Sequence, residues 1–295
     1  MTIRTFFKAS IATTLAALLL TACNDTPENT VAPTQTSATS LEYPSFRKAL
    51  DCLPEGAALM ASHRGTSKSW SLPENSLSGL NKLIQDGYKV AEIDIASTRD
   101  GVLFTYHDGV WEEGSTGKGA IAATHSAELE KILLKTRGGR ITSERPPRLS
   151  DMLALAKDRI YLEIDFKSSA KYEPVLKAIR QADMADQVVL IAYSDGQAKK
   201  LSRLAPDMLL SVPPSSARPE NLVWFGADAV GDPQVKTVRN MGADIIGRVW
   251  KRRDARQFGT MLKNANLLVT DYIEQYDPIM GLKDKGAYEA CLTTE

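Results

Sequence analysis

The chain has 295 residues, 43% of them hydrophobic and 24% charged, with 36 Lys and Arg against 36 Asp and Glu and a formal net charge of zero. This is an ordinary globular balance with no basic excess, and it excludes nucleic acid as an expected partner. Beyond the N-terminal leader, no apolar run is long enough for a membrane-crossing helix.

At the N-terminus, Arg4 and Lys8 precede an apolar run from Ala9 to Leu20 that ends in Leu20-Thr21-Ala22-Cys23. This is the layout of a bacterial secretory signal. Its core of about a dozen residues is too short to span a bilayer comfortably as a mature helix. The Leu-Thr-Ala-Cys ending resembles the lipobox of bacterial lipoproteins. That resemblance implies a signal peptide over 1–22, lipidation of Cys23, export, and a membrane anchor facing the periplasm or the cell exterior. Residues 23–44 are rich in Thr, Ser, Pro, Asn and Ala with almost no large apolar residue, a composition that reads as a flexible tether.

Residues 45–295 then alternate short apolar runs with longer amphipathic ones. The spacing predicts strands at Ala58–Ser62, Val90–Ile95, Leu103–Tyr106, Ile160–Phe166, Val188–Ala192, Met208–Val212, near Ala227–Val230, Ile245–Val249 and Leu267–Val269. It predicts helices at Ser76–Gln85, Ser126–Leu134, Leu149–Lys157, Glu173–Ala182, Gln197–Leu204, Val235–Met241 and Ala255–Lys263. Asn75-Ser76 can cap the first of these and Gly87 can end it, while Ser150 or Asp151 can cap the third. Repeated strand–helix alternation with about eight strands predicts an α/β fold, a single (β/α)8 TIM barrel. In such a barrel the active site lies at the carboxyl ends of the strands. His63-Arg64, Asp94, His107-Asp108, Lys167, Ser194-Asp195 and Asp271 all fall there or just beyond.

Three cysteines are present. With Cys23 assigned to the anchor, Cys52 and Cys291 remain, and an even remainder in an exported protein points to a disulfide. The first and last elements of a closed barrel are neighbours, so these two can meet.

The stretch from Ala61 to Asp108 concentrates the polar chemistry and holds two of the three histidines. It reads His63-Arg64-Gly65, Pro73-Glu74-Asn75, Glu92-Ile93-Asp94, Asp100-Gly101 and His107-Asp108. Glu92 and Asp94 share one strand face, which makes either a hard-cation site or a charge clash. On the strand Ile160 to Lys167 the apolar residues take the even positions, so Glu163, Asp165 and Lys167 are expected to line the barrel interior. Three charges on one interior face need a purpose, because unpaired buried charge is very costly.

This ordered series resembles the glycerophosphodiester phosphodiesterase family, which is marked by the same tripeptides in the same order. No single tripeptide is specific, since Pro27-Glu28-Asn29 repeats one of them in the tether. The likeness runs on through Ser115–Gly119, a version of the family's Thr-Gly-x-Gly, then Ile160 to Lys167 and Val269 to Tyr272. The resemblance implies metal-dependent hydrolysis of a glycerophosphodiester to an alcohol and glycerol 3-phosphate. His63 and His107 are then the acid–base pair, and Arg64, Lys167 and Glu74 lie at the substrate. Glu92, Asp94 and a third carboxylate are implied to hold one divalent cation. The family shows Glu-x-Lys on the third strand, whereas this chain offers Glu163-x-Asp165-x-Lys167. Aligning on the lysine makes Asp165 the ligand and aligning on the glutamate makes it Glu163; strand position favours Asp165. An all-oxygen site favours calcium or magnesium.

Asp271 matches the family's Thr-Asp and reads as structural or substrate-side support, while His125 matches no motif and reads as surface. Where the family has Trp-Thr-Val-Asn, this chain has Trp250-Lys251-Arg252-Arg253, which leaves substrate preference open, with Trp250 a candidate for the mouth. Alternative functions are a lysophospholipase D or sphingomyelinase D-like activity, or a non-catalytic lipoprotein that binds phosphorylated ligands. A barrel glycosidase is open on fold alone, but Arg64 and the histidine pair fit phosphate better than sugar. The expected partners are a small glycerophosphodiester and a membrane, the latter reached through Cys23, with the protein itself a monomer.

Overall fold

In a computed structural model that describes residues 43–226, 233–249 and 262–294, β1 (Ala58–Ser62) pairs in parallel with both β2 (Val90–Ser97) and β9 (Leu267–Thr270). From β2 the sheet continues through β4 (Tyr161–Phe166), β5 (Val188–Ile191), β6 (Leu209–Val212), β7 (Leu222–Gly226) and β8 (Asp244–Val249) to β9, every neighbour parallel. The eight strands therefore close into a (β/α)8 barrel. Helices α2 (Leu77–Gln85), α4 (Leu149–Ala156), α5 (Tyr172–Gln181), α6 (Asp195–Leu204) and α7 (Pro233–Asn240) run between the strands.

The period-two alternation of β4 explains how such a strand serves two environments. Leu162 and Ile164 face outward into the layer shared with Leu80, Leu153 and Ile179 of the helices. Tyr161 faces inward with Leu59, Val189, Leu222, Ile246 and Leu267. Glu163 and Asp165 share that inward face, and they are buried at 1% and 5% exposure.

One predicted strand takes a different place in the sheet. Leu103 to Tyr106 is not a barrel strand: β3 (Leu103–Thr105) runs antiparallel to β2 as the return arm of a hairpin. Ala227–Val230, where a strand is expected, lies outside the described residues; just before it β7 spans Leu222–Gly226, where Leu222 and Val223 face opposite layers as the pleat requires. A short β10 (Ile279–Met280), unexpected from the sequence, pairs antiparallel with β1.

The starts of α2, α4 and the helix at Ser126 between them agree with expectation, while the end of that helix and the cap of α4 differ. Ser76 caps α2 by accepting from the Gly79 N–H, and Gly87 follows it with φ of 82°. The helix expected from Ser126 to Leu134 stops at Leu129 (α3, Ser126–Leu129), capped by His125 and Glu128 together. Helix α4 starts at Leu149, upstream of the expected caps Ser150 and Asp151. The leader, Cys23, most of the tether, Trp250 to Arg253 and most of Ala255–Lys263 lie outside the described residues. Among the described residues, no helix is long and apolar enough to cross a membrane.

The N-terminal end of the barrel is closed by α1 (Phe46–Asp51). Phe46 stacks on Tyr161 with ring centroids 4.6 Å apart, and the Tyr161 hydroxyl donates to the Pro44 carbonyl at 2.8 Å. A disulfide joins Cys52 at the end of α1 to Cys291 in the last helix, α8 (Lys285–Thr293), with Cα atoms 5.7 Å apart. At the opposite end, the connection between β3 and α4 builds a satellite core of Phe104, Tyr106, Trp111, Ile121, Leu129 and Leu134. Trp111 is fully buried and donates from Nε1 to Thr124 Oγ1 at 2.7 Å. Each such side chain contributes about 1.5–3 kcal/mol by burial, so this connection is a packed lobe, and it presents His107 to the mouth.

Candidate active site

Immediately after β1 the chain turns through His63-Arg64-Gly65, and Ser62 Oγ closes the turn by donating to the Thr66 carbonyl at 2.6 Å. Arg64 adopts the left-handed region at φ 59°, which costs a non-glycine residue of order 1 kcal/mol. The conformation sends its backbone N–H to Glu92 Oε2 at 2.7 Å, while its guanidinium donates to Glu74 Oε2 at 2.8 Å and to His107 Nε2 at 2.8 Å. Asn75, also left-handed at φ 53°, clamps Asp94. Its Nδ2 donates to Asp94 Oδ2 at 2.7 Å, and its Oδ1 accepts from the Asp94 N–H at 2.9 Å. The asparagine expected to cap a helix therefore fixes a site carboxylate, and Ser76 does the capping.

Glu92 and Asp94 on β2 and Asp165 on β4 each offer an oxygen, and these atoms lie within 4.8 Å of one another. The register pairs Glu92 with Glu163 and Asp94 with Asp165; Glu163 sits one inward position before Asp165 on β4, level with Glu92, and is not in the group. Burial, then the charges of Asp94 and Asp165, hold the Glu92 carboxyl well above the usual range. Burial works the same way on Asp94, but the charges of Lys167 and His107 with the hydrogen bonds from Lys167 and Asn75 together outweigh it and keep that group low. Lys167 Nζ lies 2.7 Å from Asp94 Oδ1 and 2.9 Å from Asp165 Oδ2. A buried, all-oxygen set with one member pushed toward its protonated form is what a hard divalent ion would complete, so the residues fit calcium or magnesium. Glu163 is pushed up to about 7 by burial, against the pull of Arg248, and its Oε1 has no hydrogen-bond partner.

Each site histidine is tied to a carboxylate. His63 Nδ1 and Asp271 Oδ1 are 2.7 Å apart, and His63 Nε2 lies 4.0 Å from Glu92 Oε2. His107 Nδ1 and Asp108 Oδ1 are also 2.7 Å apart. Because His107 Nε2 accepts from Arg64, its proton sits on Nδ1. Burial lowers the His63 pKa against the pull of Asp271. Asp271 also pairs with Lys68, and Arg137 from the lobe reaches both Glu74 and Asp271.

Together His63, Arg64, Glu92, Asp94, His107, Asp165 and Lys167 line one cavity of about 270 Å³, joined from the far side by Glu163, Tyr193 and Arg248. Tyr193 donates its hydroxyl to Asp165 Oδ2 at 2.9 Å. Sequence reasoning missed Tyr193, Arg248, Lys68 and Arg137, and it did not see Asp108 and Asp271 as histidine partners. Asp108 carried a signal in the His-Asp motif and Asp271 in its Thr-Asp position on the last strand; the others carried none. Ser194 and Asp195 are not in the cavity: Ser194 caps α6, and Asp195 accepts from Ser215 and Ser216. Gly117 of the glycine-rich segment packs on Trp111 within the lobe. His125 is exposed beside Asp100.

Residues 63–272 match the model of the glycerophosphoryl diester phosphodiesterase family, and the chain belongs to that family. A glycerophosphodiester phosphodiesterase of Caldanaerobacter subterraneus subsp. tengcongensis is 25% identical over 161 residues, covering 52% of this chain and 65% of that protein. The chain thus spans just under two thirds of that curated relative. Among solved structures, a glycerophosphoryl diester phosphodiesterase from Parabacteroides distasonis superposes with a TM-score of 0.67 at 17% identity, covering 79% of this chain and 90% of that one. A phosphodiesterase from Oleispira antarctica, solved in complex with the product sn-glycerol 3-phosphate, gives a TM-score of 0.60 at 18% identity, covering 77% and 96%. These structural likenesses support the barrel fold.

Proposed function

We propose that this chain hydrolyses glycerophosphodiesters to an alcohol and glycerol 3-phosphate at the mouth of the barrel. The observation that carries the reading is one cavity lined by two carboxylate-tethered histidines, a three-carboxylate group and Arg64. Membership of the family and the glycerol 3-phosphate bound by the Oleispira antarctica protein support it.

Glu92, Asp94 and Asp165 would hold one divalent cation, calcium or magnesium, which supplies charge stabilisation at the phosphoryl group and helps orient the glycerol hydroxyl. Arg64 grips a nonbridging phosphoryl oxygen, released from part of its present pairing with Glu74 and His107. Lys167 adds positive charge beside the same carboxylates and keeps Asp94 ionised. One histidine takes the proton from the glycerol 2-hydroxyl as its oxygen attacks phosphorus. The other gives a proton to the departing alcohol oxygen, so proton and leaving group balance. A five-membered cyclic phosphate results. Water then adds to phosphorus with the two histidines in reversed roles, opening the ring to glycerol 3-phosphate. Asp271 and Asp108 fix the tautomers and stabilise each imidazolium as it forms.

The cavity lining is almost wholly charged or polar, with Ile191 and Val269 its apolar members. That favours a deacylated diester over a lysophospholipid, whose acyl chain needs an apolar channel. The N-terminal pattern supports export and a lipid anchor at Cys23, with the barrel held off the membrane by its tether. The test is to incubate protein lacking residues 1–23 with glycerophosphoglycerol and glycerophosphocholine and score glycerol 3-phosphate enzymatically. Release from at least one is expected; no release from any glycerophosphodiester, with the protein folded, contradicts the proposal.

A further inference from the structure

The carboxylates, histidines, Arg64 and Lys167 all come from the β9-β1-β2-β4 side of the mouth. The facing wall carries Tyr193, which follows β5, and Arg248 of β8, while Trp224 of β7 is not among the lining residues and packs against both. Trp224 of β7 is held by its Nε1 donating to the Ala192 carbonyl at 3.2 Å, and Tyr193 is held by its hydroxyl on Asp165. Their rings stand 6.1 Å apart, tilted by 58°. Arg248 of β8 lies over both, its guanidinium carbon 4.9 Å from the Trp224 ring centroid and 5.7 Å from that of Tyr193. The charge facing Arg248 from β4 is the buried Glu163, level with Glu92 of the carboxylate group.

Paired aromatic rings at a cavity wall are how a quaternary ammonium is recognised. Here those faces are already taken by a guanidinium, a planar cation that prefers such stacking and never loses its charge. A choline or ethanolamine nitrogen approaching this wall would meet a like charge instead of a ring face. A hydroxyl, carboxylate or phosphate would meet the hydrogen-bond donors of the fork. The glycerol arm of the substrate is committed elsewhere, because its 2-hydroxyl must reach phosphorus beside the histidines. The arm left to lie against β5–β8 is the alcohol that departs.

We infer that Arg248, seated on Trp224 and Tyr193, is a specificity-determining residue that selects diesters whose alcohol is polyhydroxylated or anionic and rejects those whose alcohol is cationic. The inference rests on the proposed phosphodiesterase reading. It names the substrate class within it: glycerophosphoglycerol, glycerophosphoinositol and glycerophosphoserine ahead of glycerophosphocholine. Serine carries both charges, so it ranks below the other two.

The experiment measures kcat/KM for these four diesters, with glycerol 3-phosphate as readout, for the wild-type protein and for Arg248→Met. Wild type is expected to favour glycerophosphoglycerol over glycerophosphocholine by about tenfold or more. Arg248→Met is expected to shift that ratio toward choline by about tenfold, the size of a single cation–aromatic interaction. A wild-type preference for choline overturns the inference and needs no variant to be seen. So does a folded Arg248→Met protein with an unchanged ratio. Should wild type release glycerol 3-phosphate from none of the four, the phosphodiesterase reading itself fails, an outcome distinct from an unselective enzyme.

Discussion

On β4, Tyr161 and Asp165 lie on the same inward face, and they serve opposite ends of the barrel. At the N-terminal end Tyr161 stacks with Phe46, the Tyr288 hydroxyl donates to the Ala49 carbonyl at 3.2 Å, and a disulfide ties α1 to α8. These contacts are satisfied within the protein. At the mouth, Asp165 joins two other carboxylates inside 4.8 Å, Arg64 and Asn75 hold left-handed backbones, and Glu163 Oε1 is left without a partner. Stability and chemistry are thus assigned to different ends. The closed end carries the packing that lets the open end keep like charges and strained backbone close together.

Breaking the open end should be the larger effect on activity. His63→Ala and His107→Ala should each lower turnover by about 10²–10⁴-fold while circular dichroism stays native. Near-normal turnover in either would remove that residue from the mechanism. Asp271→Asn keeps the shape but changes which His63 tautomer is favoured, and kcat should fall by about 10–100-fold. A normal kcat and pH profile in that variant would make Asp271 structural only.

Breaking the closed end should do the reverse. Cys52→Ser or Cys291→Ser should cost about 2–5 kcal/mol of stability in denaturant unfolding and leave kcat unchanged. A loss of kcat at temperatures where the variant remains folded would show that the two ends are coupled after all.

The smallest effect separates the two ends through pH. Glu92 and Glu163 have folded pKa values above their unfolded ones, Glu163 at about 7. Their contribution is complete below the unfolded carboxylate range and is lost as pH rises through the folded values. His63, shifted downward by burial, has the opposite sign but acts at and below its unfolded value of 6.5. Between pH 6.5 and 8 the metal-free protein should therefore lose thermal stability by a few degrees, on the scale of about 2–4 °C per kcal/mol. Calcium or magnesium should raise the melting temperature more at pH 8 than at pH 6.5. Equal cation shifts at both pH values would contradict the burial argument.

The barrel was legible because its signal is local. Alternation along β2 and β4 and the amphipathic stripes between them depend only on neighbouring residues. Those alternations also placed Glu92, Asp94, Glu163 and Asp165 on the interior face. The arm β3 was legible as a strand but not as the return of a hairpin, because three residues of strand look alike whether they pair in parallel or fold back. The partners of the site residues were hidden for a different reason. Asp271 meets His63 across 208 residues of sequence, and Arg248 meets Trp224 only because β8 lies beside β7. Such pairs exist only once the barrel is closed, and no spacing rule carries them. The positive φ at Asn75, which turns an expected helix cap into a clamp on Asp94, is equally invisible in a tripeptide.

The central claim is that the three-carboxylate group is a cation site that the reaction requires. The most direct measurement is turnover of a glycerophosphodiester by metal-stripped protein during titration with calcium or magnesium. The prediction is no turnover without the ion and a rise that saturates as a single site fills. Full turnover by the stripped protein, unchanged as the ion is added, would contradict it.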